Sequence, residues 1–240
     1  MSAVANVVLI GAGGIGAPAA IALVAGGARR LTVVDDDTVE ISNLHRQILF
    51  TAADVGRSKL DAFAGAVERL APGTVVTRVP GRALPLTVES IVAGAAVVVD
   101  ATDNFASRFL LADACALARV PVVHAAAVRW QATVFAVPPS GRPCFRCLFE
   151  DVPRGPAPDC ATAGVVGPVC GVAGAVAADR ALRILAGDST AYGHIVTYDG
   201  LRDMLRSVPV PARPGCALCG AAPAIHGILA SRYLAPACGL

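Results

Sequence analysis

Residues 4–16, VANVVLIGAGGIG, decide how the chain is read. Val7, Val8, Leu9 and Ile10 form a short apolar run, the pattern of a parallel strand buried on both faces. Gly11, Gly13 and Gly16 then fit G-x-G-x-x-G, with Gly14 inside the same turn. The first glycine permits a tight turn, the second lets backbone approach a phosphate, and the third lets the next helix pack close to the strand. That helix, expected over Ile15–Ala25, aims free N–H groups and its positive dipole end at an anion. A nucleotide is therefore the leading ligand. A second strand, Leu31–Val34, ends in Asp35, an acidic residue about 20 positions on and suited to a ribose hydroxyl.

The polar stretch that follows Asp35 is too long for an ordinary strand-to-helix loop, and parallel sheets keep their chemistry in such insertions. It carries Asn43, His45, Arg46, Gln47 and Lys59, amide and cationic groups suited to a triphosphate. Any one of them alone reads as a solvated surface side chain. Their clustering beside a glycine turn favours phosphate binding, and a dehydrogenase would not need them. Lys59–Leu70 has helical spacing, with Leu60, Phe63, Ala64, Val67 and Leu70 on one face, and Pro72-Gly73 stops it. Strands are expected at 75–79, 95–99 and 120–124, and helices at 88–93 and 105–119. This alternation predicts a Rossmann-like α/β fold with a doubly wound, mainly parallel sheet. Asp100 and Asp103 fall at the carboxyl end of a buried strand, where one or two carboxylates plus phosphates suit Mg²⁺. Asp103 is assigned to the metal and Asp100 to structure; the competing reading of Asp103 is a helix N-cap.

At 240 residues, 55% hydrophobic and 16% charged, the chain can fill one large core with a small appendage. A net charge of +2 leaves no electrostatic footprint for nucleic acid or a membrane surface. Met1–Asn6 has no basic n-region, so cytoplasmic residence is expected. The uncharged stretch Cys160–Ala178 reads as a loop feeding a buried helix rather than a membrane span. Further strands are expected at 133–137 and 195–198, an irregular excursion at 143–168, a small-residue helix over Val169–Leu185, and a proline- and cysteine-rich satellite at 209–240. Eight cysteines occur. Cys144-x-x-Cys147 and Cys216-x-x-Cys219 suit a closed, structural Zn²⁺ site that staples the satellite to the sheet. Cys115 and Cys170 read as core residues. Cys160, in a Pro/Asp/Gly loop before a helix, is a candidate exposed thiolate, with an inert loop cysteine as the competing reading.

Several blocks together resemble the ThiF/MoeB/HesA family of ubiquitin-activating-enzyme-like adenylyltransferases. They are GAGGIG at 11–16, VVDDDTVEISNLHRQILF at 33–50, DVGRSK at 54–59 and DATDNFASR at 100–108, then PCFRCLF at 143–149, CATAGVVGPVCGVAG at 160–174 and CALCG at 216–220. The resemblance implies a homodimeric, zinc-stapled enzyme that uses Mg-ATP to adenylate the Gly-Gly carboxylate ending a small ubiquitin-like carrier protein, releasing pyrophosphate. Its nucleotide-binding part would span about 1–137, and the zinc, crossover-loop and carrier-binding part about 138–240. Asp35 would meet the ribose, Asn43, Arg46 and Lys59 the phosphates, and Asp103 the Mg²⁺. Asp37, Gln47 and Asn104 would complete the nucleotide site with the glycine turn.

In some relatives a cysteine at the position of Cys160 forms a covalent link to sulfur or a thioester. Here Cys160 is expected to be dispensable for adenylation, which carrier-dependent ATP–pyrophosphate exchange by a Cys160→Ala variant would test. Two departures stand out. The family's N-terminal arm, with an arginine for the partner subunit's triphosphate, has no counterpart before the first strand, and Trp130 replaces the usual glycine before Gln131. No rhodanese-like domain follows, so a separate protein would donate sulfur. The competing functions are adenylation of a peptide or small carboxylate, NAD-dependent oxidoreduction, and a non-catalytic scaffold that has kept the fold.

Overall fold

The computed structural model describes residues 5–153 and 164–233. Eight strands form one sheet in the order β3-β2-β1-β4-β5-β6-β7-β8. They are β1 (Val7–Ile10), β2 (Arg30–Asp35), β3 (Val75–Pro80), β4 (Val97–Asp100), β5 (Val122–Val128), β6 (Gln131–Val137), β7 (His194–Asp199) and β8 (Met204–Pro209). The first five pair in parallel and the last three join antiparallel. Strand order reverses between β1 and β4, so the loops leaving their carboxyl ends open a crevice, the place where such sheets bind ligands.

The six α-helices of the described residues are α1 (Gly16–Ala25), α2 (Lys59–Leu70), α3 (Val88–Val92), α4 (Phe105–Ala118), α5 (Phe145–Phe149) and α6 (Gly167–Leu185). Side chains alternate across the strands, and so the core divides in two. Val7, Leu9, Leu31 and Val33 pack under α1, α2 and α6; Val8, Ile10, Val34 and Val98 pack under α3, α4 and the cysteine-bearing segments. Among the described residues no helix is long and apolar enough to cross a membrane.

The expected doubly wound sheet is present, with local corrections. The buried face of α2 runs through Leu60, Phe63, Ala66 and Val67, whereas the expected Ala64 is only partly buried and Leu70, the last residue of the helix, is 54% exposed. Strand β5 continues to Val128, and α6 begins at Gly167. The 143–168 excursion contains α5, a single turn of helix between the first two cysteines and beyond. Strand β8 went unanticipated: as an edge strand with mostly exposed residues it lacks the apolar alternation that marks a half-buried strand.

Helices α1 and α6 pack closely where α6 has Gly174. A Cβ there would meet Ile15 O at 2.6 Å, Pro18 Cγ at 2.7 Å and Ala19 N at 2.8 Å, mostly unyielding backbone. Gly174→Ala is expected to destabilise the fold by about 1–3 kcal/mol through overpacking, lowering the melting temperature by roughly 2–4 °C per kcal/mol. Because the atoms struck belong to the first turns of α1, nucleotide affinity should fall as well. Differential scanning calorimetry with ATP titration checks both.

Candidate functional site

The glycine turn is shaped for two different purposes. Gly11 has φ +94°, and a Cβ on Gly16 would lie 1.9 Å from Gly11 O, so both residues are required by the turn itself. Gly13 is different: a Cβ there would meet only Gln47 Nε2, at 3.8 Å. Folding does not need a glycine at this position, but a ligand approaching the backbone does. Asp35 secures the turn, its Oδ2 accepting from Ala12 N at 2.7 Å and its Oδ1 from Asp37 N at 2.9 Å. Each oxygen keeps a further lone pair for a hydroxyl.

A cleft of about 670 Å³ opens above this turn, within the range of small-molecule sites. Its lining includes Gly13, Asp35, Asn43, Arg46, Lys59 and Asp103. Gly11, Gly14, Asp37, Gln47 and Asn104 line it too, whereas Gly16 and His45, also assigned to the nucleotide from the sequence, are not among its lining residues. Lys59 begins α2 with its side chain 6% exposed, and its Nζ lies 2.7 Å from Asp37 Oδ2. Arg46 is steadied by Asn43, whose Oδ1 accepts from its guanidinium at 2.8 Å, and its stem would crowd a Cβ on Gly14. Gln47 is 3% exposed and its Oε1 lacks a protein partner, a buried acceptor that a ligand donor would satisfy. Gly167, starting α6, lets that helix seat against His45: a Cβ would come within 2.5 Å of His45 O.

On the opposite wall Asp103 is exposed, and the cap of α4 is Asn104, whose Oδ1 accepts from Ser107 N at 2.9 Å. The N-cap reading of Asp103 is therefore replaced by one of Asn104, and Asp103 faces the cleft without that duty. Asp100 is buried and accepts from Thr102 N at 3.0 Å and Thr102 Oγ1 at 2.6 Å, with His124 Nδ1 2.7 Å from its other oxygen. Burial pushes its carboxyl up, but His124, the Arg108 guanidinium and Thr102 outweigh that and hold it below the ordinary carboxylate range.

Sequence reasoning missed Arg82, which lines the cleft and grips both oxygens of Asp36 at 2.8 and 3.0 Å. Its signal was positional: it follows β3 at the sheet edge that carries the glycine turn. Trp130 is not among the cleft residues. It is 43% exposed, and a Cβ on Gly200, in the turn after β7, would touch its ring at 3.3 Å; its neighbour Arg129 bridges to Val165, which does line the cleft. Cys160 lies outside the described residues, while Cys115 and Cys170 are buried as expected.

The four remaining cysteines converge. Cys144 Sγ lies 3.8 Å from Cys147 Sγ and 3.4 Å from Cys216 Sγ, and Cys147 Sγ lies 3.4 Å from Cys219 Sγ. A disulfide would bring sulfurs to about 2.05 Å. Tetrahedral Zn²⁺ with bonds of about 2.3 Å would separate them by about 3.8 Å, close to the spacing seen. Gly220 tightens the second knuckle, where a Cβ would strike Cys216 O and Pro214 O at 2.5 Å. Burial opposes ionisation of Cys216, yet backbone N–H groups of Cys219 and Leu218 and neighbouring thiols bring it down to about 7. Arg213 N donates to Cys147 Sγ at 3.4 Å, a contact that steadies a thiolate ligand.

A glycine turn at the switch point of a doubly wound α/β sheet, with a nearly buried lysine lining the same cleft, is the arrangement of a nucleotide-binding fold. The ThiF family model matches residues 3–218, and the chain belongs to the ThiF family. It is 42% identical over 217 residues to the SAMP-activating enzyme E1 of Haloferax volcanii, covering 90% of this chain and 80% of that protein. It is 38% identical over 216 residues to the sulfur carrier protein ThiS adenylyltransferase of Escherichia coli, covering 90% and 86%. A crystal structure of E. coli MccB with MccA-N7isoASN has the same fold, with a TM-score of 0.80 at 22% identity, over 90% of this chain and 67% of that one.

Proposed function

We propose that this chain uses Mg-ATP to adenylate the C-terminal Gly-Gly carboxylate of a small ubiquitin-like sulfur carrier protein, releasing pyrophosphate. The observation that carries the reading is Lys59, a nearly buried cation at the cleft that also holds Gly13 and Arg46. Burying an ammonium is costly unless it is paired, and among the described residues its ion-pair partner is Asp37, 54% exposed. A bound triphosphate would add to the counter-charge that the solvent-exposed Asp37 supplies. The adenylyltransferase names of the curated relatives point the same way.

In this reading the carrier carboxylate oxygen attacks the α-phosphorus, a new C–O–P link forms, and the bond to the β-phosphate oxygen breaks with both electrons leaving on pyrophosphate. The protein supplies position and charge rather than covalent chemistry. Asn43 holds Arg46, Arg46 and Lys59 neutralise phosphate oxygens, and Gln47 offers its amide at the floor. Asp35 takes a ribose hydroxyl, Asp37 orients Lys59, and Asn104 fixes the start of α4 beside Asp103. Mg²⁺ on Asp103 would withdraw charge from the phosphates. In this reading the chain acts as a homodimer.

Carrier-dependent exchange of labelled pyrophosphate into ATP tests the reading. Exchange is expected with a carrier ending in Gly-Gly and not with one lacking those residues. NADH binding without ATP binding would favour oxidoreduction instead. ATP binding without exchange would favour a scaffold.

The cysteine cluster is assigned to one structural Zn²⁺ per chain. Chelation is expected to release the metal and cost several kcal/mol of stability, because Val210, Cys216, Leu218 and Ile225 are part of the core under α4. Metal analysis with melting curves before and after chelation measures this. A metal-free chain that melts identically would remove the assignment.

A further inference from the structure

His124 is buried on β5, directly opposite Asp100 on β4 in the strand register. Its Nδ1 lies 2.7 Å from Asp100 Oδ2, and because an ionised carboxylate only accepts, the imidazole donates. The other carboxylate oxygen accepts both the backbone N–H and the hydroxyl of Thr102, and Arg108 donates to the Thr102 carbonyl. Asp100 thus clamps the first residues of the loop that ends in Asp103. The clamp is satisfied on its second oxygen by His124. Behind the imidazole stands Phe145 of α5, with ring centroids 4.6 Å apart, and His124 Nε2 is buried without a partner. Phe145 lies between the cluster cysteines Cys144 and Cys147, so the ring that backs His124 is set by that knuckle.

We propose that His124 is a positioning residue: through Asp100 and Thr102 it holds the Ala101–Asn104 loop so that Asp103 meets the metal of the nucleotide. The inference rests on the Mg-ATP reading of the cleft. Without the imidazole, a fully buried carboxylate oxygen loses its donor, and the cheapest relief is rotation of Asp100 towards the loop. Rotation would unfasten Thr102. Lys59, at the start of α2, is left in place, and the glycine turn, which touches Ala101 and Thr102 at Gly11, stays fastened from its other side by Asp35.

Two variants separate this role from a merely structural one. His124→Leu fills the space without a donor, and His124→Asn returns an N–H near the position of Nδ1. Mg²⁺ dependence of ATP binding and amide exchange at residues 101–104 are measured for each against the unsubstituted chain, with zinc content and melting temperature alongside. For His124→Leu the Mg²⁺ requirement is expected to rise about 10- to 100-fold, the usual effect of losing an outer-shell partner, with metal-free ATP binding unchanged. Exchange at the Thr102 amide should quicken, and His124→Asn should recover most of both losses. Wild-type Mg²⁺ dependence and wild-type loop exchange in His124→Leu would overturn the proposal. Equal impairment of both variants, extending to metal-free ATP binding, would overturn it too. If the unsubstituted chain binds no Mg-ATP, the functional reading fails, and the Thr102 amide alone still decides whether His124 holds the loop.

Discussion

Lys59→Ala is expected to lower carrier-dependent ATP–pyrophosphate exchange by about 10²- to 10³-fold, the loss typical when one preorganised charge-stabilising donor is removed. The fold should survive. The lysine sits at the first position of α2, which alanine suits well, and its partner Asp37 is exposed enough to be solvated once released. The melting temperature should therefore stay level or rise, because removing a nearly buried ammonium relieves a desolvation cost. This opposition of signs, more stable yet inactive, is what marks a charge kept for chemistry. If exchange falls only in step with stability, Lys59 is structural.

Asp113→Ala should produce the largest loss of stability in the molecule, about 3–5 kcal/mol, the range for breaking a buried ion pair from one side. Asp113 and Arg146 are both buried, joined by two bonds, Nε to Oδ1 at 2.8 Å and a terminal guanidinium nitrogen to Oδ2 at 2.9 Å. Tyr233 adds its hydroxyl to Oδ2 at 2.8 Å, and the guanidinium lies 4.8 Å from the centroid of the Phe109 ring. The carboxylate therefore ties α4 to the first cysteine knuckle and to the 3₁₀ turn at Ala230–Tyr233. Truncating it leaves the buried Arg146 to the exposed Asp151 carboxylate and the Glu150 carbonyl, both reached by one terminal nitrogen, and frees the Ala230–Tyr233 turn as well. Urea denaturation measures the loss, and an Asp113→Leu/Arg146→Met double variant is expected to regain much of it. Failure to regain any would mean that the pair is worth more than the packing that replaces it.

That network also shows where the sequence was silent. The zinc-type spacing of the four cysteines made one staple for the C-terminal segment visible, but Asp113, Arg146 and Tyr233 lie far apart in the chain and share no spacing that signals a contact. Only the folded sheet brings them together. The glycine turn, by contrast, was legible because each glycine answers a local demand: a left-handed φ at Gly11, a helix against the turn at Gly16, open space at Gly13. Asn43, Arg46 and Lys59 were legible as a cluster, though not the burial of Lys59 or its bond to Asp37, which pairs residues across an insertion. Arg82 was hidden because β3 and its following loop have no motif. His124 looked like one more residue of an apolar strand, and its meaning depends on the register that sets it opposite Asp100.

A triphosphate is expected over Gly13, between Arg46 and Lys59. A crystal structure with Mg²⁺ and a non-hydrolysable ATP analogue tests it most directly. Phosphate oxygens should lie within hydrogen-bonding distance of both cations, with the metal beside Asp103 and the ribose at Asp35. A nicotinamide ring bound there from a competing soak, or nucleotide density away from those two cations, would contradict it.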